Sequence, residues 1–387
     1  MGRKTRSRPG PLTVQEATLS YENWLGRHVT VLPPDLDLKH KAMTSEAFPF
    51  LRASFYRWVQ RWPIVCKDLA KAPRVLAVGD LHVENFGTWR DREGRLVWGI
   101  NDFDEAWHLP YTVDLVRLAT SAHLAIRDAH FKLTAKDACG AILEGYVKSL
   151  RSGGRPVVLS EDHDWLYDLV MSSLRDPVKY WAKLDGLQEI RKIPKGARRG
   201  IERMFPESGL EYRVVHRIAG LGSLGRERYL ALAEYRGGRI AREAKALAPS
   251  ACLWVAGEKG GDILYQDMID SAVRAVDPYV ELRGRWIVRR LAPDCSRVEL
   301  SAMPKARDET RLLYAMGFET ANIHLGTRKA ARAILADLAG RCADWLHEAS
   351  TRMLGDVDAD WRRWRVAPRT NPDNLRIMRA RATAARA

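Results

Sequence analysis

The stretch from Val78 to Ala106 reads VGDLHVENFGTWRDREGRLVWGINDFDEA. A short strand, Val75 to Val78, is expected to feed a loop at Gly79 that carries Asp80 and, five residues on, Asn85. An apolar strand, Leu96 to Ile100, then delivers Asn101, Asp102, Phe103, Asp104 and Glu105. One carboxylate facing a hydroxyl, with an amide and a second carboxylate on a divalent cation, is the minimum equipment for phosphoryl transfer. Asp80 is therefore expected to orient or deprotonate an acceptor hydroxyl, where positioning matters more than basicity. Asn85 and Asp102 supply the hard oxygen ligands that Mg²⁺ prefers. Asp104 either binds a second Mg²⁺ or orients the loop, and Glu105 reads as structural. His82 and Glu84 invite a transition-metal reading with Asp80, but no second histidine stands at ligand spacing, so His82 is expected to pack behind the loop. Asp114, with Arg117 one helical turn on, is expected to pin that loop through its backbone or to form a local ion pair.

The whole chain sets the outer limits. With 387 residues and 46% hydrophobic content it can bury one large core or two lobes. Lys and Arg outnumber Asp and Glu by 63 to 48, a formal charge of +15 that favours anionic ligands. Part of the excess sits in the basic ends, Arg3 to Arg8 and Arg362 to Arg386, which read as solvated chain. Cys66, Cys139, Cys252, Cys295 and Cys342 are far apart, show no paired metal spacing, and read as mostly buried, reduced thiols in a cytoplasm. No apolar run approaches a membrane span, and no secretory signal is visible. The tryptophans around the acidic segment (Trp58, Trp62, Trp89, Trp98, Trp107) are expected in core packing rather than on stacked bases.

Periodicity divides the rest. Residues 1–43 read as a basic arm with one amphipathic helix near Val14 to Leu25. A large helical lobe is expected over 44–205, beginning with a Ser45-capped helix through Val59. Helices are also predicted over Val113 to Ala129, Thr134 to Leu150, Ser160 to Leu174 and Pro177 to Ile190. The texture changes to strands over 206–296: Tyr212 to Ile218, Tyr229 to Tyr235, Arg239 to Lys245, Tyr279 to Leu282 and Trp286 to Leu291. Gly237-Gly238 suits a hairpin turn, and Asp262 to Val276 looks helical. Helix returns over 297–365, within Thr310 to Leu354, ahead of a basic tail at 366–387.

Between the first two strands of the middle region lies Gly220-Leu221-Gly222-Ser223-Leu224-Gly225. Backbone N–H groups of Gly220, Gly222, Ser223 and Gly225 are placed to cradle phosphate oxygens. The context is strand, loop, strand, which disfavours a Rossmann reading and suits a phosphate-covering loop. Twenty residues beyond Gly225, Lys245 is positioned to pair with the phosphates of ATP. Together with Gly79-Asp80-Leu81-His82 and Asn101-Asp102-Phe103, these motifs resemble kinase-like phosphotransferases of the aminoglycoside and choline kinase branch. The order is reversed, because the glycine loop follows the acidic segment. The resemblance therefore implies a circularly permuted, two-lobed kinase-like α+β fold. Its small antiparallel β lobe would be inserted into a large helical lobe, with Arg289 to Ser296 as hinge.

The chain also resembles a bacterial family known as domain of unknown function 2252. That likeness rests on Phe48 to Arg52, Gly79 to Gly87, Asn101 to Glu105, Asp114 to Ala119 and Gly220 to Gly225, and extends from about residue 44 to 350. The kinase likeness implies ATP and Mg²⁺ as cofactors and transfer of a phosphoryl group to a small-molecule hydroxyl. The glutamate that pairs with the small-lobe lysine of kinases has no clear position; Glu258, Asp267 and Asp270 are the nearby candidates. Two alternatives stay open: a catalytically silent nucleotide-binding sensor or scaffold, and a nucleotidyl transferase. Nucleic acid is not the expected partner, although the basic ends keep it open.

Overall fold

Thr13 opens the first helix with a capping box: its hydroxyl accepts the Glu16 N–H, and the Glu16 carboxylate accepts the Thr13 N–H. The computed structural model describes residues 12–128, 130–159, 163–171, 176–295, 297 and 308–366. Arg3 to Arg8, the part of the expected basic end from 367 onwards, Ser296 of the hinge, and 160–162 and 172–174 of the helix expected over Ser160 to Leu174 lie outside the described residues.

The helix α1 (Val14–Leu25) is followed by α2 (Pro33–Ser45), which starts on two prolines that need no helical N–H donor. From Thr13 onwards the chain therefore departs from the expected arm. Val14, Ala17, Tyr21, Leu36 and Met43 are buried in the main core. The second helix escaped a periodicity reading because two of its buried positions are charged. Asp35 meets His216, and Lys39 meets the glycine loop. The single helix expected after Ser45 is split into α3 (Ala47–Ala53) and α4 (Phe55–Val65). At the break, the Ser54 hydroxyl donates to the Phe50 carbonyl.

Next come β1 (Arg74–Ala77), β2 (Phe86–Arg90), β3 (Leu96–Ile100) and β4 (Trp107–Pro110). They are followed by α5 (Tyr111–Arg127), α6 (Ala135–Ser152, capped by Thr134) and β5 (Val157–Val158). Strands β1 and β4 pair with each other, and β3 lies between β2 and β5; all these pairings are antiparallel. Three shorter helices follow, α7 (Asp164–Met171), α8 (Pro177–Asp185) and α9 (Lys195–Arg203). A five-stranded antiparallel sheet is then built from β6 (Tyr212–His216), β7 (Arg228–Tyr235), β8 (Gly238–Ala246), β9 (Val280–Arg283) and β10 (Trp286–Leu291), in the order β6-β7-β8-β10-β9. The helices α10 (Ala251–Val255) and α11 (Tyr265–Ser271) lie in the connection from β8 to β9. The chain closes with α12 (Glu309–His324), α13 (Ala330–Ala339) and α14 (Trp345–Val366).

The protein is thus mixed α+β with antiparallel sheets, and no helix among the described residues is long and apolar enough to cross a membrane. Alternation along the strands divides the five-stranded sheet into two faces. Val214, Ala231, Ala233, Ala244, Ala246 and Val288 belong to the main core together with Ala197 and Ile201 of α9. Val215, Leu230, Leu232, Ala241 and Leu291 form a second cluster with Tyr180 and Leu184 of α8. Trp58, Trp62, Trp89 and Trp98 are buried, as expected of packing residues.

Candidate functional site

The acidic half of the site is built by a hairpin. Phe86 pairs with Ile100 at one end of β2 and β3, and the Asn101 N–H donates to the Asn85 carbonyl at 3.2 Å. Asn85 and Asp102, seventeen residues apart, therefore flank the same end of one ladder. Strand β2 is too rich in Gly and Thr to stand out by apolar alternation, so only its partner was legible. Within the loop, the Asn85 side-chain oxygen accepts the His82 N–H at 3.0 Å. His82 is buried and packs edge-on against Phe48. Glu105 leaves the acidic run to accept the Ala251 N–H at 2.7 Å, which caps α10.

Asp114 on α5 pins the loop through its backbone. Its carboxylate accepts the N–H groups of Val78 (2.7 Å) and Gly79 (2.9 Å), and its Oδ2 lies 3.0 Å from His324 Nε2. The far nitrogen of His324 meets the Tyr146 hydroxyl at 2.7 Å, so α12 stands behind the loop. Gly79 is required here: its φ is +80°, and an added Cβ would lie 2.5 Å from the Glu105 carbonyl oxygen. Arg117, one turn beyond Asp114, pairs with Asp80 and donates to the Leu51 carbonyl. Burial pushes the Asp80 carboxyl up to about 7, against the opposing pull of Arg117.

The cationic half comes from one face of the five-stranded sheet. Strand alternation places Arg228, Glu243, Lys245 and Arg289 on the face that carries Leu230, Ala241 and Leu291. Arg228 stands opposite Lys245, and Arg289 opposite Glu243. Glu243 is fully buried and accepts from Arg228 (3.1 Å), Arg289 (2.8 Å) and Arg217. Burial opposes its ionisation, but the three guanidinium groups outweigh it and hold the carboxyl well below its ordinary range.

The two halves meet at Lys245, whose ammonium donates to Asp102 Oδ1 at 3.3 Å and to Asp104 Oδ1 at 2.5 Å. Burial works against ionisation of Asp102, yet Lys245 outweighs it and lowers the carboxyl below its usual value. Burial and the adjacent Asp102 charge push Asp104 up to about 6. The Asp102 side chain is 38% exposed and that of Asp104 only 11%, so Asp102 is the more available to a ligand. Glu258, Asp267 and Asp270, the candidates for a lysine partner, are exposed instead.

Above these groups lies a cavity of about 350 Å³ lined by Asp80, Asn85, Asp102, Asp104 and the glycine loop residues Gly220, Gly222 and Ser223. The loop runs close over Asp80: a Cβ on Gly222 would lie 3.1 Å from the Arg52 carbonyl oxygen and 3.2 Å from Asp80 Oδ2. Lys39 Nζ donates to the Gly222 carbonyl at 3.0 Å, and the Ser223 hydroxyl accepts from Arg228 at 2.7 Å. Burial pulls the Lys39 ammonium down to about 8. Gly225 is not in the lining; its carbonyl accepts the Leu32 N–H, and it anchors the loop to the start of α2. Arg52, Arg217, Arg226, Arg228, Arg274, Arg289, Arg290 and Arg297 also line the cavity, which makes its wall strongly cationic. Arg274 stacks over Trp89 and Phe103, with Nε and Nη1 buried and lacking hydrogen-bond partners among the described residues. Lys39, Glu243 and Arg274 had no motif to mark them; only the strand alternation around Lys245 pointed to Glu243.

Residues 31–173 match a family model described as an uncharacterized protein conserved in bacteria (DUF2252). The match contains the acidic segment and stops short of the glycine loop and Lys245. No curated protein and no solved structure matches the chain. Over the segment that builds the acidic half of the site, the chain is similar to that bacterial family.

Proposed function

We propose that the cavity binds ATP with Mg²⁺ and transfers the terminal phosphoryl group to a hydroxyl of a small acceptor, on a circularly permuted, two-lobed kinase-like framework. The observation that carries this reading is the meeting of Lys245 with Asp102, 143 residues apart, beneath a glycine loop that covers Asp80. Lys245 lies on the third strand of the sheet whose first two strands flank that loop, the arrangement of kinase phosphate sites. The donor set suits Mg²⁺: the Asp102 and Asp104 carboxylates and the Asn85 amide are hard oxygen ligands. Bound there, the ion would neutralise charge on the phosphates.

The chain's own groups have separate tasks. Backbone N–H groups of Gly220 and Gly222 cradle phosphate oxygens, whereas the Ser223 N–H is already donated to the Gly220 carbonyl at 3.1 Å. Arg228 in the wall and Lys245, buried behind Asp102 and Asp104 and outside the lining, supply positive charge. Arg117 holds Asp80 through Oδ1, which leaves Oδ2 turned towards Gly222 and free to accept the acceptor's proton. With its carboxyl near 7, Asp80 is matched to accept a proton at neutral pH. A second reading, a nucleotide sensor without turnover, draws on the lysine's partners, which are Asp102 and Asp104 rather than a helix glutamate.

Thermal unfolding with Mg²⁺, ATP and both together tests the site. A ligand at about 100 times its dissociation constant adds about 2.7 kcal/mol, seen as a raised midpoint. Stabilisation that needs both components and disappears in Asp102→Ala is the expected result; no shift at millimolar ATP in a folded protein would sink the proposal. Stabilisation without any consumption of ATP across a panel of small alcohols and sugars would favour the sensor.

A further inference from the structure

Three helices bring together side chains that do not line the cavity and that the proposed reaction does not use. His123 on α5, Cys139 on α6 and His347 on α14 each offer one ligand atom, and these atoms lie within 4.8 Å of one another. Cys139 Sγ is 3.4 Å from His123 Nε2. The Ser350 hydroxyl, one turn beyond His347, lies 3.3 Å from the same nitrogen and 3.7 Å from the sulfur. Tetrahedral zinc, with Zn–S near 2.3 Å and Zn–N near 2.0–2.1 Å, sets its sulfur and nitrogen ligands about 3.6 Å apart. The observed separation is close to that value.

One further observation points to a ligand. His347 Nδ1 is buried and has no hydrogen-bond partner among the described residues, an expense that a metal bond would remove. Cys139 and His123 are 3% and 5% exposed, so an ion held there would be shielded from bulk water.

We propose that His123, Cys139 and His347 bind a thiophilic divalent metal ion, zinc foremost, that clamps α5, α6 and α14 together. Ser350 is the candidate for the fourth position. Its hydroxyl already donates to the Leu346 carbonyl, which leaves an oxygen lone pair for the ion. A thiolate and two imidazoles discriminate against Mg²⁺, so this centre is independent of the magnesium chemistry proposed for the cavity. Binding converts the Cys139 thiol to a thiolate: the S–H bond breaks, an S–metal bond forms, and the proton passes to solvent.

The test uses the full chain, stripped with a chelator and titrated with Co²⁺ and then Zn²⁺. Expected is one equivalent of Co²⁺ with thiolate-to-cobalt charge-transfer absorption and the strong visible bands of a tetrahedral site, both erased by Zn²⁺. Bound Zn²⁺ should also raise the unfolding midpoint. Cys139→Ser should abolish the charge-transfer band. His347→Ala, at a half-buried position, should weaken Co²⁺ binding by at least about a hundredfold, beyond the loss typical of an outer-shell partner. Cys342→Ser, at the exposed cysteine, should change neither. A folded wild-type protein that shows no thiolate–cobalt absorption overturns the proposal. So do bands that survive His347→Ala unchanged, a variant that remains decisive even if Cys139→Ser fails to fold.

Discussion

The acidic and cationic halves of the cavity are assembled by opposite means. Asp80, Asn85, Asp102 and Asp104 come from one continuous stretch, folded back by a single hairpin and held from behind by Asp114. Arg228, Glu243, Lys245 and Arg289 come from alternate positions on three strands, and Arg217 from the residue just past a fourth. The first half is a local structure with one buried support. The second is a cross-strand network in which a single carboxylate, Glu243, keeps three guanidinium groups close together. A local motif leaves a signature in the sequence, whereas a sheet face leaves only a faint alternation.

That contrast can be broken at its supports. The largest effect is expected at Asp114, whose removal leaves the Val78 and Gly79 N–H groups buried without acceptors. Asp114→Ala should lower stability by about 3–5 kcal/mol, measured by urea unfolding. A loss below about 1 kcal/mol would show that the loop holds itself. Glu243→Gln should cost less, about 2–3 kcal/mol, because the amide oxygen still accepts from one or two of the guanidinium groups. It should also weaken ATP-dependent stabilisation, since repelling arginines no longer share a counter-charge. An unchanged response to ATP would show that the cationic face is structural only. The smallest effect is one of pH. Asp80 must be ionised to accept a proton, and its carboxyl lies near 7. ATP turnover should therefore fall about tenfold per unit below pH 7 and level off above it. A rate flat between pH 8 and pH 6 would remove Asp80 from the proton transfer.

Much of the architecture was legible because its elements obey their periods. The expected strands Tyr229 to Tyr235 and Trp286 to Leu291 lie within one residue of the observed β7 and β10. Thr134 caps α6 as its hydroxyl chemistry predicts, whereas the hairpin turn expected on Gly237-Gly238 falls one residue earlier, on Arg236 and Gly237, both at positive φ, with Gly238 already paired to Tyr235. Where prediction failed, polar burial or a broken rhythm was responsible. Helix α2 hides Asp35 and Lys39 inside the molecule, so its pattern reads as solvated. The helix expected through Val59 breaks at Ser54, a position with no proline or glycine to announce it. The strand β2 pairs through backbone groups and carries little apolar signal.

The sequence by itself determined the acidic segment, the glycine loop and the strand set, because each depends on neighbours within a few residues. Tertiary structure alone decided who meets whom. Lys245 meets Asp102 and Asp104 instead of a helix glutamate, Arg117 turns to Asp80 instead of Asp114, and Lys39 reaches the carbonyl of Gly222. It also decided that Cys139, with no second ligand at metal spacing in the chain, stands beside His123 and His347. The physical reason is common to all four. A buried charge or lone pair must find a partner wherever packing places one, and packing joins residues that the chain keeps far apart.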